Sequence, residues 1–311
     1  MGTIGRPEVE EARERIAGFV RRTPVLELPA GLRGRTHPAA LKLELHQHTG
    51  SFKVRGAFHR LLGEAIPTAG VVAASGGNHG AAVAFAASRL GVPVRIFMPT
   101  TTPRAKVQRV QGYGAEVVLT GDIYAHAKAA AERYAAESGA LDVPAFDDPA
   151  VVAGQGTMAL EFVEQASFDT LLVAVGGGGL AAGCAAALAG SSIRIVGVET
   201  TGTRSLHAAL EAGMPVDVQV SGLAADALGA RRVGEVPFAI LRAAVDRVVL
   251  VEDGDLRAAQ GALWDECRVL AEPGGAAALA AWLSGSYRAT AGERLGIVIC
   301  GGNVDPASMA R

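Results

Sequence analysis

Lys53 is the residue whose type and surroundings point most directly to chemistry. It lies in residues 49–57 (TGSFKVRGA), directly after Ser51 and Phe52, where a helix is expected to begin. A lysine in such a place is most often a solvated surface charge. The alternative is an amine that forms an imine with a carbonyl cofactor. Taken alone, Lys53 favours the surface charge, so other parts of the chain must decide between the two.

A run of four glycines separates an apolar strand pattern from an alanine-rich helix pattern. The run is Gly176, Gly177, Gly178 and Gly179, followed by Leu180. The backbone N–H groups of such a run curl around an anion at the positive end of a helix, and phosphate is the natural guest. A tight turn needs only one or two glycines. The run therefore favours a phosphate-binding loop, although its spacing matches neither the dinucleotide nor the Walker motif.

Residues 74–80 (ASGGNHG) also connect a strand pattern to a helix pattern. Ser75 or Asn78 alone would serve as a helix cap. The segment holds more than a cap requires, because Gly76 and Gly77 free the backbone and His79 adds an imidazole. The backbone N–H groups of this loop can bind a substrate carboxylate while Asn78 hydrogen-bonds a cofactor oxygen. We therefore favour a functional loop over a cap alone.

Residues 299–303 (ICGGN) end the last apolar strand pattern, where open α/β sheets bind ligands. Cys300 is either a small buried hydrophobe or a weak thiol donor to a ring nitrogen, and the residues alone leave both open. His46 and His48 are too weak a pattern for a metal pair, so solvated or capping roles are expected. The chain contains no HExxH motif of zinc proteases and no GxSxG motif of α/β-hydrolases.

The composition indicates a folded protein with a large core. The chain has 311 residues, of which 50% are hydrophobic and 19% charged. Its net charge of −2 gives no reason to expect nucleic acid or a membrane as a partner. No secretion signal or membrane-spanning stretch is recognised. The three cysteines, Cys184, Cys267 and Cys300, lie far apart, so a reduced, cytoplasmic compartment is expected.

Short apolar strands alternate with helices, which is typical of α/β proteins with parallel sheets. Strands are expected at residues 41–45, 71–74, 92–98, 115–119, 171–175, 193–198, 247–251 and 295–300. Helices are expected at residues 7–22, 53–62, 78–89, 104–111, 122–137, 151–164, 180–188, 205–212, 255–267 and 275–283. Residues 214–234 show no clear pattern and are expected to contain functional loops.

The predicted fold class is α/β with two open parallel-sheet domains. We expect a large, cofactor-binding domain from residues 1–66 and 147–311. A small α/β domain from residues 67–146 is expected to close over the active site.

Taken together and in this order, the motifs resemble the serine/threonine dehydratases. These belong to the β-family of pyridoxal-phosphate enzymes, which have fold type II (tryptophan synthase β-like). Two further segments match, residues 152–157 (VAGQGT) and 272–276 (EPGGA), and the resemblance extends from about residue 7 to residue 305. No single motif is decisive, but six of them in register are specific.

The resemblance implies pyridoxal phosphate as the cofactor, held by Lys53 as an imine. Phe52 would pack on its ring, Asn78 would hydrogen-bond its 3-oxygen, and the backbone of residues 176–180 would bind its phosphate. Cys300 stands where the family places a serine or cysteine facing the pyridine nitrogen.

The resemblance also implies the substrate site and the reaction. Ser51, Ser75, Gly76 and His79 are the implied substrate-binding residues. The implied enzyme is a threonine or serine ammonia-lyase (dehydratase), which removes water and ammonia from a β-hydroxy amino acid. Gly76 stands where the family's racemases tend to have a serine, and His79 where its β-replacement enzymes usually have threonine. Racemase, β-replacement enzyme and non-catalytic amino-acid-binding protein are therefore the alternatives.

Some relatives bind a divalent ion through a glutamate and a later aspartate. Glu199 matches the glutamate, but Ser205 stands where the aspartate is expected, so no complete metal site is predicted. The resemblance also implies a homodimer.

Overall fold

The computed structural model describes residues 4–28 and 32–309, and within these residues ten strands form two sheets. The predicted domain ranges also include residues 1–3, 29–31 and 310–311, which lie outside the described part. The strands are β1 (Val25–Leu28), β2 (Ala39–Leu43), β3 (Val71–Ala74), β4 (Val94–Met98), β5 (Glu116–Leu119), β6 (Leu141–Asp142), β7 (Thr170–Ala174), β8 (Arg194–Thr200), β9 (Arg247–Val251) and β10 (Leu295–Ile299).

Helices cover both sheets. They are α1 (Arg6–Ile16), α2 (Lys53–Leu62), α3 (Asn78–Arg89), α4 (Arg104–Gln111), α5 (Tyr124–Ser138), α6 (Pro149–Gln165), α7 (Gly179–Ala187), α8 (Ser205–Ala212), α9 (Ala225–Leu228), α10 (Glu235–Ala244), α11 (Asp253–Cys267) and α12 (Pro273–Ser284). Among the described residues, no helix combines the length and apolar character needed to cross a bilayer.

The large sheet has the strand order β1-β2-β10-β7-β8-β9. Strands β7 and β10 lie in its centre and are buried along their whole length, as expected for strands covered on both faces. Strand β1 pairs antiparallel with β2, so the expectation of wholly parallel sheets is wrong at this edge. The connection at residues 29–38 is too short for the crossover of a dozen or so residues that a parallel pair needs.

The small sheet has the order β5-β4-β3-β6, and all of its pairs are parallel. Helices α3, α4 and α5 pack against it. Strand β3 is fully buried and leads at its carboxyl end into residues 75–77 and then α3. In the large sheet, β7 leads in the same way into residues 175–178 and α7. Both predicted loops therefore lie at carboxyl ends of parallel strands.

The predicted first helix extends too far. Helix α1 ends at Ile16, whereas the apolar periodicity predicted residues 7–22. Phe19 and Val20 continue that periodicity because they pack on the core beneath the small sheet, where the Phe19 and Phe58 rings lie 5.1 Å apart. Strands β1 and β6 and helix α10 were missed, since the two strands are short and α10 follows the unassigned region.

Candidate active site

Lys53 is the first residue of α2, and the chain before it is held against the end of β10. Ser51 forms an isolated antiparallel bridge with Gly301, and the Phe52 N–H donates to the Cys300 carbonyl at 3.2 Å. Lys53 Nζ donates to the Ala145 carbonyl at 2.8 Å and lies 5.1 Å from the centre of the Phe52 ring. The two ends of the predicted cofactor site, residues 51–53 and Cys300, are therefore brought together.

The environment of Lys53 shifts its amine toward the neutral form. Burial lowers the pKa of Lys53 from 10.5 to about 8, and the negative charges that Cys300 and Glu272 would carry oppose this shift only in part. At pH 7 an amine with this pKa is neutral in about 10% of molecules, against about 0.03% for an unperturbed lysine. The interpretation of Lys53 as a solvated surface charge is therefore wrong.

The glycine run wraps closely around a neighbouring ring. A Cβ at Gly177 would lie 2.3 Å from the Phe146 ring, and one at Gly176 would lie 3.1 Å from Leu228 Cα. Gly178 has φ +93°, a left-handed conformation that favours glycine. Helix α7 begins at the next residue, so its unpaired N–H groups face this loop. The glycine run therefore combines a close backbone approach with the free N-terminus of a helix, which are the two features that an anion-binding loop requires.

Residues 145–146 join the glycine run to Lys53. Ala145 accepts the hydrogen bond from Lys53, while the neighbouring Phe146 packs against Gly177 and Gly179. Through these two neighbouring residues, the Lys53 amine and the glycine run are brought to the same region of the protein.

Asn78 is the first residue of α3 and is held by two residues of distant segments. Its Nδ2 donates to Glu272 Oε1 at 2.6 Å, and its Oδ1 accepts from Asn303 Nδ2 at 2.7 Å. Burial raises the pKa of Glu272 to about 7. From the sequence alone, neither Glu272 nor Asn303 was assigned a role. The signal was present for both, because each belongs to a segment that matches the family.

The other residues of the loop after β3 line the same region. Ser75 Oγ accepts from the Gly77 N–H at 3.2 Å, and a Cβ at Gly76 would lie 3.1 Å from Thr102. His79 is buried and its Nε2 lies 2.7 Å from the Val143 carbonyl, which requires the Nε2–H tautomer. Burial and the nearby Lys53 charge lower the pKa of His79 to about 3, so its ring is neutral.

Cys300 is buried at the end of β10. Its Sγ lies 3.5 Å from the Gly274 carbonyl, within hydrogen-bond range for a thiol. Burial raises the pKa of Cys300 well above its usual range, and the Glu272 charge adds to the effect. The side chain is therefore a neutral thiol.

Ser51 supplies an independent sign of a ligand. Its side chain is fully buried, and within the described residues its Oγ has no hydrogen-bond partner. A buried hydroxyl without a partner costs about 1–3 kcal/mol, which a bound polar group would recover. Together with the glycine loop and the low pKa of Lys53, this hydroxyl fits a site for an anionic carbonyl cofactor and a polar substrate.

A buried ion-pair network holds the first turn of α2. Arg55 donates to both carboxylate oxygens of Glu44, at 2.7 and 2.8 Å, and to Glu161 at 3.0 Å. Lys42 donates to Glu161 at 2.5 Å, and all four side chains are buried. Because Arg55 lies two residues after Lys53, this network fixes the helix that carries the amine.

Glu199 lies behind the glycine loop. It accepts from the N–H groups of Leu206 and His207 at 2.8 Å each, and so caps α8. Ser205 Oγ donates to the Gly176 carbonyl at 2.9 Å. Among residues 4–28 and 32–309, no three His, Cys, Asp or Glu side chains are grouped so that they could hold a metal ion.

Comparison with known proteins places this site in a family. The family model described as "Pyridoxal-phosphate dependent enzyme" matches residues 16–301. The L-threonine ammonia-lyase of Geobacter sulfurreducens is 42% identical over 303 residues, which cover 96% of this chain and 75% of that protein. The biosynthetic L-threonine dehydratase of Escherichia coli is 41% identical over 271 residues, which cover 85% of this chain and only 53% of that longer protein.

Solved structures agree with this assignment. Maize serine racemase superimposes with a TM-score of 0.92 at 32% identity, covering 99% of this chain and 96% of that one. A threonine deaminase from T.th. superimposes with a TM-score of 0.90 at 35% identity, covering 97% of this chain and 99% of that one. The chain therefore belongs to the family of pyridoxal-phosphate dependent enzymes with fold type II.

Proposed function

We propose that this chain is an ammonia-lyase (dehydratase) that acts on L-threonine or L-serine. It eliminates water, and one water is consumed again when the released enamine hydrolyses, so the net products are ammonia and a 2-oxo acid. The names of the relatives that are 42% and 41% identical support this reaction class. The observation that carries the proposal is the partly buried Lys53 amine, which is hydrogen-bonded to the Ala145 carbonyl and lies beside the Phe52 ring. Its pKa of about 8 suits a base that works near neutral pH.

Pyridoxal phosphate is the cofactor of the family, and the residues around Lys53 fit it. We assign the Lys53 amine to its carbonyl carbon, the N–H groups of residues 176–180 to its phosphate, and Phe52 to its ring face. Asn78 is assigned to its 3-oxygen and Cys300 to its ring nitrogen. When bound, the cofactor supplies an electron sink for the Cα of an amino acid.

Lys53 removes the Cα proton in this proposal. One of its N–H groups donates to the Ala145 carbonyl, and in the neutral amine the lone pair stays available for a proton. Because burial lowers the pKa of Lys53, a useful fraction of the amine is neutral near pH 7.

Cys300 favours elimination over racemisation. A neutral thiol, unlike a carboxylate, does not hold a proton on a ring nitrogen. Cys300 would in this way leave the bound ring less electron-withdrawing, so that loss of the β-hydroxyl would compete well with return of the proton to Cα. The burial that raises the pKa of Cys300 supports this role.

The substrate carboxylate is assigned to residues 75–79, at the N-terminus of α3. The Nε2–H group of the neutral His79 ring already donates to the Val143 carbonyl, so His79 would shape this loop rather than supply charge. Ser75 and Gly76 would border the carboxylate, and the unpaired Ser51 hydroxyl is available as a donor to the substrate.

Racemisation of serine is the second candidate, because maize serine racemase has the same fold over nearly the whole chain. Gly76 counts against it, since glycine supplies no hydroxyl to protonate the opposite face of Cα. Incubation with L-serine separates the candidates: pyruvate and ammonia support the lyase, whereas accumulation of D-serine supports the racemase.

The direct test uses purified protein loaded with pyridoxal phosphate and a panel of L-threonine, L-serine and 3-hydroxyaspartate. We expect 2-oxo acid release from at least one of the first two, and no turnover by Lys53→Ala. The exposed Lys128→Ala is the matched control and should retain full activity. A protein that never binds pyridoxal phosphate, or that binds it without producing a 2-oxo acid, would refute the proposal.

We further propose a homodimer in a reduced, cytoplasmic compartment, with residues 67–146 as a small domain that closes over the site. The three cysteines are all free thiols, which supports the compartment. The strands of the small sheet all fall within residues 71–142, which supports the domain division. Light scattering of the purified protein and limited proteolysis with and without substrate test the dimer and the closing domain.

A further inference from the structure

The side chain of Asn78 is held between two residues that have no assigned role. Its nitrogen side faces Glu272 and its oxygen side faces Asn303, at 2.6 and 2.7 Å. The partners lie 194 and 225 residues away along the chain. Asn78 belongs to a helix of the small sheet, whereas the partners lie at the start of α12 and after β10. The side-chain amide of Asn78 is thus held by residues that follow or precede elements of the large sheet and its helices.

The orientation of the Asn78 amide, meaning which side carries its oxygen, follows from neighbouring groups that can act only as a donor or only as an acceptor of a hydrogen bond. Asn303 Nδ2 donates to the Thr49 carbonyl at 2.8 Å, and a backbone carbonyl can only accept. The group of Asn303 that faces Asn78 is therefore its amino group, so the group of Asn78 that faces it must be Oδ1. Asn78 Nδ2 is thereby directed to Glu272. This assignment holds whether Glu272 is ionised or protonated.

Glu272 is placed for this contact rather than for capping its own helix. It occupies the N-cap position of α12, but among the described residues its side chain makes no capping hydrogen bond. Its backbone N–H donates to the Gly301 carbonyl at 3.1 Å, and a Cβ at Gly301 would lie 2.2 Å from Glu272 Oε1. Glycine at position 301 therefore allows the buried carboxyl to reach Asn78.

An amide nitrogen carries two N–H groups, and Glu272 uses one of them. We propose that Glu272 and Asn303 are positioning residues that orient the Asn78 amide and direct its second N–H toward the 3-oxygen of the cofactor. This proposal rests on the proposed function, because it requires pyridoxal phosphate in the site. Glu272 and Asn303 act only through Asn78, which distinguishes them from residues that contact the cofactor independently.

A double-mutant cycle on cofactor affinity tests this dependence. Asn78→Ala, Glu272→Ala and the double variant are freed of cofactor, and the Kd for pyridoxal phosphate is measured by equilibrium dialysis. Glu272→Ala should weaken binding about tenfold in the otherwise unchanged protein. In the Asn78→Ala background it should have less than about a twofold effect. An equal loss in both backgrounds would overturn the proposal.

Three further variants guard against a trivial loss of folding. Glu272→Gln keeps an acceptor oxygen, so its Kd should stay within about threefold of the unchanged protein. Glu252→Ala removes the acid at the same cap position of α11 and should leave the Kd unchanged. Asn303→Asp puts an acceptor opposite Asn78 Oδ1 and should weaken binding only while Asn78 is present. If Glu272→Ala does not fold, Asn303→Asp in the two backgrounds decides the question.

The absorbance spectrum of the bound cofactor provides a readout that a purely structural role would not change. The pH midpoint of its visible band should shift in Glu272→Ala and in Asn78→Ala, and not in Glu252→Ala. If the unchanged protein binds no pyridoxal phosphate, the proposed function itself fails. If the unchanged protein binds pyridoxal phosphate and the effects of Asn78→Ala and Glu272→Ala on the Kd are additive, only the positioning role of Glu272 is overturned.

Discussion

The protonation of Lys53 can be measured in the cofactor-free protein, without reference to turnover. With a pKa of about 8 in place of 10.5, the neutral fraction of the amine at pH 7 is about 300 times higher than for an unperturbed lysine. Labelling by a small acylating reagent, followed by mass spectrometry of the Lys53 peptide, reports this fraction. Because burial slows access at every pH, the midpoint of the pH profile is decisive and the absolute rate is not.

The labelling rate of Lys53 should rise with pH and level off above about pH 8, with exposed Lys128 in the same digest as the reference for reagent reactivity. A rate that still rises tenfold per pH unit between pH 9 and pH 10 would refute the argument. It would mean that the Lys53 amine remains protonated despite its burial.

The lowered pKa of Lys53 also makes the free energy of unfolding depend on pH, in a direction that follows from the sign of the shift. Between pH 8 and 10.5 the folded protein binds fewer protons at Lys53 than the unfolded chain, so the free energy of unfolding rises with pH. The full effect is on the order of 3 kcal/mol. Lys53→Met has no ionisable amine at this position, so only the unchanged protein gains stability in this way as the pH rises. In urea unfolding of the two cofactor-free proteins, the difference between their free energies of unfolding should therefore become smaller with increasing pH. A constant difference would contradict the pKa assignment.

Three further substitutions test the supports of the site. Arg55→Met leaves two buried carboxylates without their shared partner, and urea unfolding should show a loss of about 3–5 kcal/mol. Gly177→Ala places a Cβ 2.3 Å from the Phe146 ring, so a loss of about 1–3 kcal/mol in stability and weaker pyridoxal phosphate binding by dialysis are expected. Gly261→Ala, in the interior of α11 with open space around it, should leave binding unchanged and raise stability by about 1 kcal/mol, because alanine favours a helix more than glycine does. Asp148→Ala removes the hydrogen bond that caps the first turn of α6 and should lower stability by about 1 kcal/mol in thermal unfolding.

The elements that carry the site were predictable from the sequence because their signals are local. Helices α2 and α3 and strand β3 have the predicted bounds, since glycine-rich turns and apolar runs mark their ends. The glycine-rich turn between β7 and α7 was predictable for the same reason, and phosphate binding is the role proposed for it. The α/β class and the two sheets followed from the alternation of these elements, while the antiparallel pairing of β1 did not.

The segments that match the family mark Glu272 and Asn303 as candidates, but the contacts that these residues make were not predictable, because they join distant parts of the chain. Glu272 precedes a proline and reads as an ordinary helix start, but its partner Asn78 lies 194 residues away. Arg55 reads as a solvated charge on a helix, yet it is fully buried between Glu44 and Glu161. Neither the residue types nor their spacing along the chain indicates which charged side chains become buried together.

Burial moves the ionisable groups of this pocket toward their neutral forms. Burial lowers the pKa of Lys53 to about 8 and that of His79 to about 3. It raises the pKa of Glu272 to about 7 and that of Cys300 well above its usual range. The proposed reaction needs a neutral base to accept the Cα proton and a neutral thiol opposite the ring nitrogen. One physical cause, the burial of these side chains between α2, α3 and β10, would therefore prepare both the proposed base and the proposed ring partner.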